Sequence, residues 1–325
     1  MRQDLPIDGY RPNGHRRVRV VLDGRLIDGH GRVDARAAWV DAGPIAFRWG
    51  ARLDIGEDVL GWRDTRSGRT VVFRRGHPHA EVEGHGVVPL SASPEWSDGT
   101  LLLPADAVAL AGDATVRLDR RAGALFITRP DPYLAQFRIL IDPGHGGSDP
   151  GCTYGDGLVE KDLNLDVARR LARLLKAAGA AVALSRTTDV DLSPVQRCAR
   201  ARQFQAHLAI SLHHNASLDA SLQGAEGYYY RHDLGRRLAA SLAGALARGL
   251  GIPNRGVREA NVGVLRCMPC TAALVEAAFV SEPRLARAFA HPWTRTKEAM
   301  ALLEGIRGFC GALQGDGVLW APTGP

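Results

Sequence analysis

No run of 18 or more apolar residues occurs in this 325-residue chain, so no segment has the length and hydropathy expected of a transmembrane helix. The opening MRQDLPIDGYRPNGHRR has no apolar core of signal-peptide type. We expect either a protein that is not exported by that route or one from which a signal has been trimmed. There is also no Lys/Arg block and no aromatic–basic repeat. The formal charge is +6 and the sequence pI about 9.3. However, the arginines are spread along the chain and mostly sit beside Asp or Glu, which argues against a nucleic-acid partner. An anionic polymer such as a cell wall suits the same mild positive field. Five cysteines cannot all pair within one chain. Cys267 and Cys270 form a lone C-x-x-C with no second ligand pair at a suitable spacing. A disulfide between them, or two packed thiols, is therefore expected in place of structural zinc.

The length and the 45 % hydrophobic content fit two globular domains. Residues 16–130 read as a smaller β-rich domain, with short alternating segments such as RRVRVVLDG and RTVVFRRG between Gly- and Asp-containing turns. Two stretches echo each other, 49–76 and 111–130, each a short apolar lead-in, a strand, a turn and a second strand. LLLPADAVALAG (101–112) predicts a short helix with Pro104 in its first turn. His77, His79 and His85 could bind metal, but three histidines in a polar loop are more often simply solvated. Residues 1–15 are expected to be a flexible N-terminus, 131–137 a linker within the proline-containing RPDPYLAQF, and 315–325 a loose tail.

From residue 138 to 314 the pattern becomes an alternation of strands and helices. FRILIDPG is an apolar strand. EKDLNLDVARRLARLLKAAG (160–179) is a helix with Leu163, Val167, Leu171, Leu174 and Leu175 at helical spacing, stopped by Gly179. Ser193 and Pro194 mark the N-cap and first position of the next helix. HLAISLHHN and TAALVEAAFVS are strands. The expected fold is α/β, a largely parallel central sheet with helices on both faces, and its site belongs at the C-terminal ends of the strands.

Four chemically active side chains fall at those ends. His145 sits in the glycine-rich turn PGHGG. Glu160 opens the first helix, His213 ends the strand LAISLHHN, and Glu276 lies among apolar neighbours in ALVEAAF. Two imidazoles and a carboxylate are a usual ligand set for catalytic zinc, with a position left for water. A further carboxylate could move the proton of that water, and the cost of an ionised group in the apolar strand of Glu276 calls for such a task. Each residue also has an ordinary reading. Glu160 could simply favour a helix N-terminus, His213 could be a hydrogen-bonded core histidine, and Glu276 could pair with an arginine. His214 cannot easily share the role of His213, because adjacent strand side chains point to opposite faces.

The string ILIDPGHGGSDPG, GLVEKDLNLDVARRL, VALSRTTD, AISLHHNAS, GAEGYYY, NRGVREANVGVLR and AALVEAAFVS, in that order, resembles the zinc-dependent N-acetylmuramoyl-L-alanine amidases of the Amidase_3 type over about residues 138–313. The resemblance implies zinc held by His145, Glu160 and His213, with Glu276 as catalytic base. The apolar spacing of the first half loosely resembles the copper amine oxidase N-terminal-like domain, which implies no copper here. Two features depart from the amidase pattern. Cys152 stands where the family usually has a small residue, and RCMPCT is a short, cysteine-rich run before the last strand.

The expected function is therefore hydrolysis of the amide between N-acetylmuramic acid and the L-alanine of the stem peptide of peptidoglycan. It would act outside the cytoplasm, at the wall or in the periplasm, as a monomer without a membrane span. SLDASLQ and RHD are too short to carry a site-blocking helix, so no activator protein is expected. The rival readings are a zinc peptidase acting on stem peptides and a catalytically silent wall-binding protein.

Overall fold

The computed structural model describes residues 16–27, 31–97, 100–154, 157–219 and 221–316. The expected flexible stretch 1–15 and most of the expected tail, 317–325, lie outside them. The chain divides into two compact units between Pro130 and Asp131.

The first unit holds two sheets. One follows the strand order 95–97, 100–104, 38–41, 31–33, 16–22, 124–128, 115–119, with 25–26 pairing onto 16–22. Strands 16–22 and 124–128 run parallel in it. The other is an antiparallel meander of 52–55, 59–63, 70–74, 79–82 and 86–89. The echoed stretches place their hairpins in different sheets, although Trp62 and Phe73 of one share a core with Leu125 and Ile127 of the other. The helix expected over 101–112 is shorter: Thr100–Pro104 is a strand, and the helix Ala105–Gly112 follows with Pro104 as its N-cap and not in its first turn. A second helix, Ala42–Trp49, had no clear sequence signal. Asp41 caps it by accepting from the Gly43 amide, and it ends on Gly50 at φ 65°. His77, His79 and His85 are exposed.

The second unit is a six-stranded sheet. Its strands are β1 Arg138–Pro143, β2 Ala181–Leu184, β3 Leu208–Asn215, β4 Ala225–Tyr229, β5 Asn254–Glu259 and β6 Thr271–Phe279. The spatial order is β2-β1-β3-β6-β4-β5. β1, β2, β3 and β6 run parallel, and β4 joins β6 antiparallel, with β5 parallel to β4. The helices are α1 Glu160–Ala177, α2 Pro194–Gln203, α3 Asp233–Leu250, α4 Gly263–Cys267, α5 Pro283–Ala290 and α6 Pro292–Gly315. Strands β4 and β5 and helices α4 and α5 add to the elements read from sequence. Gly315 belongs to α6 and not to a tail. The expected linker is likewise built into this unit: Leu134 and Phe137 are buried, and residues 134–136 form a 3-10 turn.

The alternation along β3 decides what lies where. Ala209 packs with Leu140 of β1 and Ala201 of α2, and Ser211 bonds Asp142 on the same side. On that side α4 covers Leu274 of β6. His214 points the other way, toward α1 and α6.

The cysteine pairing differs from the expectation. Cys267 is bonded to Cys198 of α2, and Cys270 is a free thiol packed against the Leu140–Ala201–Ala209 cluster. The C-x-x-C segment runs from the end of α4 into β6, which turns the two sulfurs toward different neighbours. Helix α2 then brings Cys198 to Cys267 across a sequence separation of 69.

Candidate active site

Strand β1 delivers a turn whose backbone is held at almost every residue. Asp142, buried at the strand end, accepts from Arg197 Nη1 at 2.7 Å, Ser211 Oγ at 2.8 Å and the hydroxyl of Ser185. Arg197 also donates to the carbonyls of Pro143 and His145 at 2.8 and 2.9 Å. The buried Arg186 guanidinium donates to the carbonyls of Pro143, Gly144 and Lys161. Asp189 takes the Gly147 amide and the Lys161 ammonium, each at 2.7 Å, and Asp191 takes both donors of Ser148. So constrained, His145 adopts φ 58°, a region non-glycine residues seldom enter. Gly144 is required for a different reason: a Cβ there would lie 2.2 Å from the His213 ring.

Asp149 meets His145 Nδ1 at 2.8 Å, which turns Nε2 toward Glu160 Oε1 at 3.1 Å. Glu160 is the buried first residue of α1. Its Oε2 accepts from the Cys152 amide at 2.9 Å. Its Oε1 also meets His213 Nδ1 at 3.1 Å, the His214 amide at 3.2 Å and Asn164 Nδ2 at 3.3 Å. One donor atom from each of His145, Glu160 and His213 lies within 4.8 Å of the others, the one such group among the described residues. His77, His79 and His85 form no such group.

The electrostatics couple the three groups. Burial works to raise the Glu160 carboxyl, but the two imidazoles outweigh it and hold the group far below the usual carboxylate range. The hydrogen bond to Glu160 pushes His145 up to about 9, helped by Asp149 and opposed by burial. A buried carboxylate with two convergent imidazoles is a donor set that fits zinc, and Asp149 behind His145 supplies the carboxylate–histidine orientation common to such ligands. Cys152 is a half-buried free thiol beside this group. Burial raises its pKa above the ordinary thiol value.

Glu276 stands opposite His213 in the parallel β3–β6 register and opposite Glu226 in the antiparallel β4–β6 register. The three side chains therefore share one sheet face. Glu276 Oε2 is buried without a hydrogen-bond partner. Burial, with the Glu160 and Glu226 carboxylates adding and His145 opposing, pushes its carboxyl up to about 8. Glu226 is the contrary case. It accepts from Arg255 Nε at 2.6 Å, Tyr228 Oη at 2.6 Å and Asn215 Nδ2 at 3.3 Å, and pairs with Arg258 at 2.9 Å. These contacts overcome its burial and hold it below the usual carboxylate value. Sequence reading passed over Glu226. The available signal was a carboxylate inside the strand segment GAEGYYY, and its arginine partners are about 30 residues away.

A largely parallel sheet with convergent imidazoles and a carboxylate at its C-terminal edge, beside an unpartnered buried carboxyl, defines an α/β enzyme domain with a metal-type site. The chain belongs to the N-acetylmuramoyl-L-alanine amidase family Amidase_3, whose profile matches residues 139–308. It is 38 % identical over 170 residues to the N-acetylmuramoyl-L-alanine amidase LytC of Bacillus subtilis, covering 51 % of this chain and 34 % of that protein. It is 36 % identical over 147 residues to the probable cell wall amidase LytH of Staphylococcus aureus, covering 45 % and 48 %. The chain thus spans about a third to a half of the length of these relatives. Among solved structures, a Clostridium difficile 630 N-acetylmuramoyl-L-alanine amidase superposes with a TM-score of 0.52 at 29 % identity, covering 54 % of this chain and 97 % of that one. The AmiC2 amidase of Nostoc punctiforme gives 0.51 at 31 % identity, covering 53 % and 96 %.

Proposed function

We propose that the second unit cleaves the amide between N-acetylmuramic acid and L-alanine in peptidoglycan, with zinc held by His145, Glu160 and His213. Bound there, zinc would supply the Lewis acidity that activates water and polarises the scissile carbonyl. Glu276 takes the proton of the attacking water and passes it to the departing amine nitrogen of L-alanine. The observation that carries this reading is the buried, unpartnered Glu276 oxygen on the sheet face of His213. Burial raises this carboxyl to about 8 in the metal-free protein, and a cation held by the three ligands would bring it down toward neutrality, where one carboxyl both accepts and returns a proton. Asp149 orients His145, and Glu226, kept ionised by its arginines, adds to the rise of the Glu276 carboxyl.

The site works outside the cytoplasm, at the wall, a reading supported by the Staphylococcus aureus relative named a probable cell wall amidase. It works as a monomer and without an activator, because the connections 216–224 and 230–232 around β4 leave no length for a blocking helix. Residues 16–130 form a separate domain that holds the enzyme on the wall. Among the described residues no helix is long and apolar enough to cross a membrane.

The test is digestion of purified wall by the protein alone, read by mass spectrometry. Intact stem peptides with free N-terminal alanine are expected. Chelation should abolish their release and added zinc restore it. Fragments cut within the stem would instead favour the peptidase reading, and binding without any product would favour a silent wall-binding protein.

A further inference from the structure

Behind the ligand group, on the α1–α6 side of the sheet, runs a polar column that the proposed chemistry does not use. Asn164 of α1, His214 of β3 and Glu298 of α6 are all essentially without solvent exposure. Asn164 Oδ1 lies 2.8 Å from His214 Nδ1, and His214 Nε2 lies 3.1 Å from Glu298 Oε2. Phe289 packs edge-on against the imidazole at 5.1 Å between ring centroids. Apolar side chains would fill such a helix–sheet interface without the desolvation cost of three polar groups.

We propose that His214 and Glu298 are positioning residues, which set the Asn164 amide and through it the direction of the Glu160 carboxylate. This rests on the reading of Glu160 as a metal ligand. The argument is a count of donors and acceptors. Asn164 Nδ2 lies 3.3 Å from both the Gly144 carbonyl and Glu160 Oε1, and both of those groups can only accept. The amide nitrogen must therefore face them, and Oδ1 must face His214. His214 Nδ1 must then be the donor. With the ring proton on Nδ1, the contact to Glu298 needs one more proton between Nε2 and the carboxyl. Without Glu298, Nε2 is left buried without a partner, the ring is no longer held from behind, and Asn164 loses the fixed contact that sets its amide against Glu160 Oε1. The His214 backbone amide bonds the same Oε1 at 3.2 Å, so the column grips the carboxylate from two sides.

The experiment measures zinc affinity by chelator competition on the full chain, together with unfolding of the metal-free protein. Glu298→Leu removes the partner of Nε2, whereas Glu298→Gln keeps a donor to it. We expect Glu298→Leu to bind zinc about 10- to 100-fold more weakly, the usual cost of losing an outer-shell partner. Glu298→Gln should stay close to the unaltered chain, and metal-free Glu298→Leu should melt no lower than metal-free Glu298→Gln. The double change His214→Phe with Glu298→Leu makes the column apolar and should also weaken zinc binding while remaining folded. Unaltered zinc affinity in folded Glu298→Leu, or equal losses in the Leu and Gln variants, overturns the inference. If the unaltered chain itself binds no zinc, the ligand reading fails first and the positioning role with it.

Discussion

At the scale of the residue, the two carboxylates opposite each other on β4 and β6 have been driven apart by their surroundings. Glu226 has two arginines and a tyrosine hydroxyl, and Glu276 has none of these. Such a split is how one site holds both a permanent charge and a proton carrier. Glu276→Gln is nearly isosteric, so it should leave zinc content unchanged while lowering kcat by about 100-fold or more. Loss of zinc along with activity would make Glu276 a ligand instead. The same variant has a stability signature in metal-free protein. The unfolded chain releases this proton near the ordinary carboxyl value of 4.5, and the folded chain keeps it to about 8. Stability contributed by the group is therefore complete below 4.5 and is lost as pH rises through about 8. Glu276→Gln avoids that loss. In chelator, its melting temperature should exceed that of the unaltered chain clearly at pH 9 and little at pH 5. An equal difference at both pH values would count against a raised Glu276.

At the scale of the element, α2 connects the loop chemistry to the disulfide. Its Arg197 holds the His145 carbonyl and Asp142, and the next residue, Cys198, is bonded to Cys267 at the end of the five-residue α4. A helix of that length does not persist by itself, so the bond and the packing of Val264 and Leu265 on Leu274 keep it in place. Closing a loop of this length contributes about 2–4 kcal/mol. Reduction should lower the urea midpoint of the second unit's transition, and the effect should be absent in Cys198→Ala with Cys267→Ala. A midpoint indifferent to reductant would mean that the thiols are not joined.

At the scale of the whole molecule, the family match covers the second unit and begins at residue 139. The first unit contributes a separate core built around Trp62, Phe73, Leu125 and Ile127. A chain beginning near Tyr133 should keep zinc and cleave small soluble muropeptides, yet sediment less with intact wall than the full chain. Equal co-sedimentation would remove the anchoring role proposed for residues 16–130 and leave them a structural one.

The sequence by itself determined the main strands and helices around the site and put His145, Glu160, His213 and Glu276 at the strand ends. Helical spacing gave α1 to within two residues of its observed end, and Ser193 with Gln196 caps α2 as the motif requires. Strand alternation put His213 and His214 on opposite faces, and glycine-rich turns marked where β1 presents His145. All of these signals lie within a few residues of one another. The tertiary structure alone decided which cysteines join, that Glu226 faces Glu276, and that His214 finds Glu298 on a helix 84 residues further along the chain. Those contacts follow from sheet register and helix packing, which bring together groups whose local sequences carry no mark of each other. Burial then does what no local pattern can: it leaves one carboxyl without a partner and surrounds its neighbour with them.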